Sequence, residues 1–255
     1  MFDWGSFTLF LYILMRMSGF VLANPLFGRT GVPALFRTGL IGLLSLSVYF
    51  AYGGSAEVPD NLIIFGVRLI LELGIGFVVA IIMRFFFYIA EQGGEIIDSQ
   101  MGLGMAKTYD PSTQSQLGPI ANLLNQLMLI LFFVENGHIT LLRLMLTSGE
   151  IVPYGAVSFG TNFADYGLEL FAECALLAVK LSLPILGAEL LGQVGMGVLM
   201  KVIPQINVFA INIELKVIIG LVMVLMLLLP MSEFLLQVEG DMLRSLRQAM
   251  MLMNG

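Results

Sequence analysis

The residues of this sequence best placed to do chemistry are charged side chains that interrupt long apolar segments. They are Arg16, Arg68, Glu72, Arg84, Glu169, Glu173, Lys180, Glu189, Glu214 and Lys216. Inside a membrane such groups can relay protons or ions, or they can pair with one another between packed helices. A central Arg, Lys or Asp that faces lipid costs about 2.5–3.5 kcal/mol, so we expect these side chains to face protein or water.

The spacing of these charges indicates which of them could pair. Arg68 and Glu72 are four residues apart, so they share a helical face and can pair within one helix. Glu173 and Lys180 lie two turns apart on one face, while Glu169 and Glu173 repel each other. Ion pairing between packed helices is the simplest interpretation, and a proton or ion relay, or exposure to water, remains open. The side chains predicted to form buried or inter-subunit ion pairs are Arg16, Arg68, Glu72, Glu169, Glu173, Lys180, Glu214 and Lys216.

Several other chemistries are excluded by the residue counts. The chain has one cysteine, Cys174, and one histidine, His138, so it lacks an internal disulfide, a CxxC motif and a multi-histidine metal site. It has no phosphate-binding glycine loop and no nucleophile elbow. We therefore expect no enzyme activity, metal or cofactor. The net charge of −6 argues against a nucleic acid partner.

The elements that carry the charges are apolar and helical. Hydrophobic residues make up 58% of the chain and charged residues 12%, against about 45–50% and 25% in soluble domains. The composition therefore predicts an all-α membrane protein. Its apolar blocks run over residues 4–23, 38–52, 61–90, 119–134, 162–191 and 205–229. Pro230 is predicted to end the sixth block, and residues 231–253 to form a separate amphipathic helix.

A turn is predicted between the last two blocks because several glycines there allow the backbone to bend. Lys201 is the only charge between Leu190 and Ala210, so the positive-inside rule favours a cytoplasmic position. The residues of this predicted cytoplasmic turn are Gly192, Gly195, Gly197, Val198, Lys201 and Pro204.

Residues 91–119 form a segment too polar for a lipid-facing span and longer than an ordinary connector. Within it, Gly102-Leu103-Gly104 is flanked by Met101 and Met105. Glycine permits tight bends, and methionine supplies flexible apolar side chains. The segment is either a surface loop with a short helix or an ordered loop inside a pore or protein interface.

Residues 94–106, with the sequence GEIIDSQMGLGMA, resemble the signature of the FliR family of flagellar export-gate proteins, and Asp110-Pro111 follows as in that family. Further similarities lie at Asn136-Gly137-His138 and at residues 204–209, so that the resemblance spans nearly the whole chain. The injectisome branch of the same family, the SctT type, is the close alternative.

The resemblance implies a non-enzymatic subunit of a type III export gate in the bacterial inner membrane, at the flagellar basal body. It implies a FliP-like helical part over residues 1–160, with a plug loop at 91–119, followed by a FliQ-like helical hairpin and tail over 161–255. FliP-type and FliQ-type subunits, an FlhB-type protein at the cytoplasmic side and unfolded export substrates are the implied partners.

The same resemblance implies that part of the glycine-rich segment plugs the pore. The residues predicted to form the plug are Gln100, Met101, Gly102, Leu103, Gly104, Met105 and Ala106. We expect Met101, Leu103 and Met105 to supply the sealing side chains. Without the resemblance, the residues also allow a secondary transporter or an ion channel that uses intramembrane carboxylates.

Overall fold

Helices make up almost all of the computed structural model, which describes residues 3–27, 32–59, 61–106, 108–110, 115–156, 160–202 and 208–253. The helices are α1 (Trp4–Ala23), α2 (Ala34–Tyr52), α3 (Leu62–Gln100), α4 (Pro119–Val134), α5 (Gly137–Leu146), α6 (Ser148–Ile151), α7 (Thr161–Val202) and α8 (Val208–Leu252). Between α3 and α4 lie a 3₁₀ turn, Leu103–Ala106, and a small antiparallel hairpin of β1 (Thr108–Asp110) and β2 (Ser115–Leu117). The predicted all-α class is confirmed.

Within the described parts of the chain, five helices are long and apolar enough to cross a membrane, namely α1, α2, α3 and most of α7 and α8. The pair α4 and α5 is bent by 65° and could form a sixth span. Helices α3, α7 and α8 contain 39, 42 and 45 residues. At 1.5 Å per residue they are about 58, 63 and 68 Å long, twice the bilayer core of about 30 Å. Each therefore extends well beyond the apolar part of a membrane.

The helix end predicted at Pro230 is wrong, and the third helix is longer than its apolar block. Helix α8 continues through Pro230 to Leu252, and α3 continues past Ala90 to Gln100. A proline removes only one backbone hydrogen bond, and packing of the next turns can compensate for it. Met231 and Leu235, which follow Pro230, are both buried. Tertiary packing thus joins the sixth block and the predicted amphipathic tail into one helix.

The chain forms two compact units that alternate along the sequence. The first unit comprises residues 1–85, 136–171 and 240–255, and the second comprises 86–135 and 172–239. These units do not coincide with the predicted boundary near residue 160. The division into FliP-like and FliQ-like parts describes a relationship between sequences, and it stays a prediction.

Candidate functional site

The predicted plug residues lie at the connection between α3 and α4, in the second unit. Residues 91–100 are helical, so the loop itself is shorter than the predicted segment and starts at Met101. Gln100 is the last residue of α3, and residues 103–106 form the 3₁₀ turn. The side chains of Met105 and Ala106 and the whole of Lys107 lie outside the described residues.

The bend that starts the loop depends on one glycine. Gly102 has φ of +77°, in the left-handed region that disfavours side chains, and a Cβ there would meet nothing within 4 Å. Gly104 is equally open, but its φ is not positive. Both glycines are exposed. The structure therefore requires glycine for backbone reasons at position 102 and not at position 104.

Met101 is buried and does not face an open space. Its side chain is 0% exposed, and it occupies the volume that a side chain at Gly220 of α8 would need. A Cβ on Gly220 would lie 2.7 Å from the Met101 Cε and would overlap its Cγ. The Met101 side chain therefore packs against α8, and its predicted part in sealing a pore stays a prediction.

The other end of the loop is held by two carboxylates of α3. Asp98 accepts hydrogen bonds from the backbone N–H groups of Ile120, at 3.1 Å, and Ala121, at 2.9 Å. Glu95 accepts one from the N–H of Gly118, at 2.8 Å. These three groups belong to the N-terminus of α4, where unpaired N–H groups and the helix dipole favour negative charge.

Sequence reasoning missed this cap. The N-cap of α4 is Gly118, which has no side chain to accept the free N–H groups. The sequence does contain a sign of this cap, the Gly-Pro pair at 118–119. Proline favours the first position of a helix, and a preceding glycine leaves the helix to be capped by the side chain of a distant residue. Gly118 also makes room for its partner, since a Cβ at this position would overlap the Asp98 carboxylate.

A second polar cluster lies in the first unit around Arg16. Its Nε donates to Glu72 Oε2 at 2.7 Å, and both side chains are 0% exposed. Its other nitrogens donate to Ser148 Oγ at 3.2 Å and to the Val152 carbonyl at 3.0 Å. The backbone N–H of Gly155 donates to Glu72 Oε1 at 2.7 Å. This network ties α1 and α3 to the segment that contains α6.

Glu72 pairs with Arg16 and not with Arg68, which was the expected partner within α3. Helices α1 and α3 cross closely where Gly19 and Gly76 meet the opposite backbone, since a Cβ on either glycine would overlap it. This close crossing brings the Arg16 guanidinium within reach of Glu72. The guanidinium also lies 4.2 Å from the centre of the Tyr154 ring, and burial raises the pKa of that phenol. Tyr154 is therefore neutral near pH 7 and offers its ring face to the cation.

The comparisons with known proteins agree with the resemblance. Residues 7–241 match the family described as bacterial export proteins, family 1. The chain is 25% identical to the flagellar biosynthetic protein FliR of Bacillus subtilis over 229 residues, which cover 86% of this chain and 85% of that protein. It is 26% identical to the Escherichia coli FliR over 223 residues, or 86% and 84% of the two chains.

A relative that is named for the translocation of Yop proteins is also similar. The Yop proteins translocation protein T of Yersinia pestis is 30% identical over 204 residues, which cover 77% of this chain and 74% of that protein. This chain belongs to the bacterial export protein family. With its apolar helices, it is a multi-pass protein of the bacterial inner membrane and a component of a type III export apparatus.

Several charges of this export protein lie on the surface of the chain. Glu169, Glu173, Lys180 and Glu214 are exposed, while Arg68 and Lys216 are partly exposed. Among the described residues, none of these six takes part in an ion pair. Their predicted pairing with other subunits stays a prediction. Glu189 and Glu239 are instead buried. The Glu189 carboxylate lies near the charge of Lys216 and the backbone N–H of Gly220, although it forms no close ion pair.

The predicted cytoplasmic turn is largely helical. Helix α7 continues through Gly192, Gly195 and Gly197 to Val202, so these three glycines are helical and do not form a turn. A Cβ on Gly192 would lie 2.8 Å from Ile219 Cδ1, so this glycine serves close packing of α7 on α8. Val198 and Lys201 are exposed helical residues, and Pro204 lies outside the described residues.

Proposed function

We propose that this chain is a channel subunit of a type III export gate, and that its loop between α3 and α4 plugs the pore at rest. FliP-type and FliQ-type subunits would complete the channel, and an FlhB-type protein would bind at the cytoplasmic side. The substrates would be unfolded flagellar subunits. The similarity to two flagellar proteins named FliR supports the flagellar assignment, although the Yersinia relative is named for the translocation of Yop proteins.

The observation that carries this proposal is the construction of the loop. It leaves α3 at a left-handed glycine, Gly102, and presents exposed backbone at residues 102 and 104 between two fixed ends. An apolar constriction stops ions because water does not fill it. A loop can also yield to an unfolded polypeptide, which a rigidly packed helix could not do. Leu103 and Met105 are the side chains we assign to the seal.

The lengths of α3, α7 and α8 also support a channel that is not confined to the bilayer. Each helix is about twice as long as the apolar core is thick. Exposed charges such as Glu173 and Lys180 on α7 would be costly against lipid, so neighbouring subunits or water would surround them. A helical wall that extends out of the membrane provides both environments.

The test is to delete residues 102–106 in the complete gate and to measure ion conductance across the membrane at rest. The deletion should leave copurification of the partner subunits unchanged and should raise the conductance. Leu103→Ser should raise it by a smaller amount, since a hydroxyl lets water enter the constriction. Val58→Ser, at an exposed residue before α3, is the matched control. A deletion variant that assembles fully and conducts no more ions than the wild type would refute the plug.

A second candidate function is ion or proton transport through intramembrane carboxylates. The buried carboxylate of Glu189, which lies near the charge of Lys216, favours it. In a transporter, Glu189→Gln should abolish pH-dependent flux through the purified protein. In an export gate, the same variant should leave the resting conductance low and the protein export intact.

A further inference from the structure

We propose that Met101 and the carboxylates of Glu95 and Asp98 are positioning residues that fix both ends of the plug loop, so that the helix ends that carry the loop stay in place during export. This inference rests on the proposed function of the loop as a plug. In this proposal Met101 fixes the start of the loop and does not seal the pore. Gly220 of α8 leaves the space that the Met101 side chain fills.

The first fixed end is the contact between Met101 and Gly220. The Met101 side chain is completely buried, and it fills space that exists only because residue 220 has no side chain. Any larger residue at 220 would have to displace the thioether. The backbone N–H of Met101 also donates to the Ile97 carbonyl at 3.0 Å, which continues the hydrogen bonding of α3. The loop therefore starts from a residue held on two sides.

The second fixed end is the cap of α4. Three backbone N–H groups, of Gly118, Ile120 and Ala121, donate to Glu95 and Asp98 at 2.8–3.1 Å. Charge-assisted bonds of this kind are stronger than neutral ones. The Asp98 side chain is fully buried, and Leu117, the last residue of β2, is buried as well.

Both ends are thus fixed to the last turns of the same helix. Glu95 and Asp98 precede Met101 by six and three residues, so the chain leaves α3 and returns to it within two helical turns. A loop whose ends are this close can change its conformation without moving the helices that carry it. Between the ends, Gly102 and Gly104 are exposed, and a Cβ on either would meet nothing within 4 Å. Met101 is buried and Gly102 is exposed, so exposure to solvent begins at residue 102.

A disulfide tests whether the first end stays in place. A Cβ at residue 220 would overlap the Cγ of Met101, which is about 1.5 Å from its own Cβ, so the two Cβ atoms would lie within about 4 Å. This separation suits a disulfide. In the complete gate carrying Cys174→Ser, we expect Met101→Cys with Gly220→Cys to crosslink under oxidant and to export at the wild-type rate while crosslinked. Met101→Cys alone is the control.

Two results of the crosslinking experiment would overturn the inference. If no disulfide forms in the assembled gate, Met101 does not lie against Gly220. If the disulfide forms and stops export, and a reductant restores export, the first end must move for the gate to open.

A steric variant tests whether the anchor positions the seal. Gly220→Ala should raise the resting conductance without loss of copurification, because the new methyl group displaces Met101. Adding Met101→Ala to Gly220→Ala should not restore the seal, because the anchoring side chain is then absent. Gly240→Ala in the same helix is the matched control, since a Cβ there would meet nothing within 4 Å.

The outcomes separate the two proposals. If Gly220→Ala conducts no more ions than the wild type but the 102–106 deletion leaks, the plug stands and the Met101 anchor is refuted. If neither variant leaks, the plug function itself fails, and the anchor with it.

Discussion

Replacing Glu72 with glutamine leaves the Arg16 guanidinium as a buried charge without its counter-ion. Both side chains are fully buried, and Glu72 holds the Nε of Arg16 at 2.7 Å with one oxygen and the N–H of Gly155 at 2.7 Å with the other. Glutamine has nearly the same shape, so the change removes charge and leaves the volume of the side chain in place. We expect the variant to be strongly destabilised for this electrostatic reason.

The Glu72→Gln variant should lose several kcal/mol of the free energy of unfolding. Removing one partner of a buried ion pair typically costs about 3–5 kcal/mol. For a protein of 150–250 residues each kcal/mol lowers the melting temperature by about 2–4 °C, so the shift should be about 6–20 °C. Glu57→Gln, in the exposed loop before α3, should shift the melting temperature by less than about 2 °C because surface substitutions change stability by about 0.5 kcal/mol or less.

The measurement is the melting temperature of the gate purified with its partner subunits, and a double variant makes it decisive. Arg16→Met with Glu72→Met removes both charges and leaves two unpaired backbone groups, the Val152 carbonyl and the Gly155 N–H. Each unpaired backbone group costs about 1–3 kcal/mol, so the double variant should lose about 2–6 kcal/mol of stability. Two independent single variants would together lose about 6–10 kcal/mol. The double variant should therefore melt close to the single ones. Additive shifts would refute the coupling, and equal melting temperatures for Glu72→Gln and Glu57→Gln would refute the burial.

Three further predictions concern the other contacts. Gly76→Ala should reduce the yield of the assembled gate, because its methyl group would overlap the backbone of α1. The control is Gly66→Ala in the same helix, which should not reduce the yield, because a Cβ there would meet nothing within 4 Å. Equal yields of the two variants would contradict the close crossing of α1 and α3. Asp98→Ala should lower the stability of the gate by about 0.5–2 kcal/mol, the usual cost of losing a helix cap, and an unchanged melting temperature would show that another group caps α4. A cysteine at Val198 or Lys201, both exposed on α7, should crosslink to an FlhB-type partner from the cytoplasm, and labelling only from outside the cell would reverse the orientation.

Much of the fold could be predicted because hydrophobic segments of about 20 residues have few alternatives to a helix in a membrane. The blocks at 4–23 and 119–134 coincide with α1 and α4. The glycine-rich motif also indicated a bend, and Gly102 has the positive φ that the bend needs. These features depend on neighbouring residues alone, which is why local patterns reveal them.

Other features depended on contacts between distant residues. The sequence places Arg68 one turn from Glu72, but the partner is Arg16, 56 residues away, because two glycines allow α1 and α3 to touch. The sequence shows that Met101 is flexible and apolar. Met101 is buried because Gly220, 119 residues away, has no side chain and leaves space for it. The composition by itself determined a helical membrane protein, since half the usual charge cannot cover a soluble surface. The tertiary structure decided that Glu72 pairs with Arg16 and that Met101 packs against Gly220, because both contacts depend on how closely two helices approach.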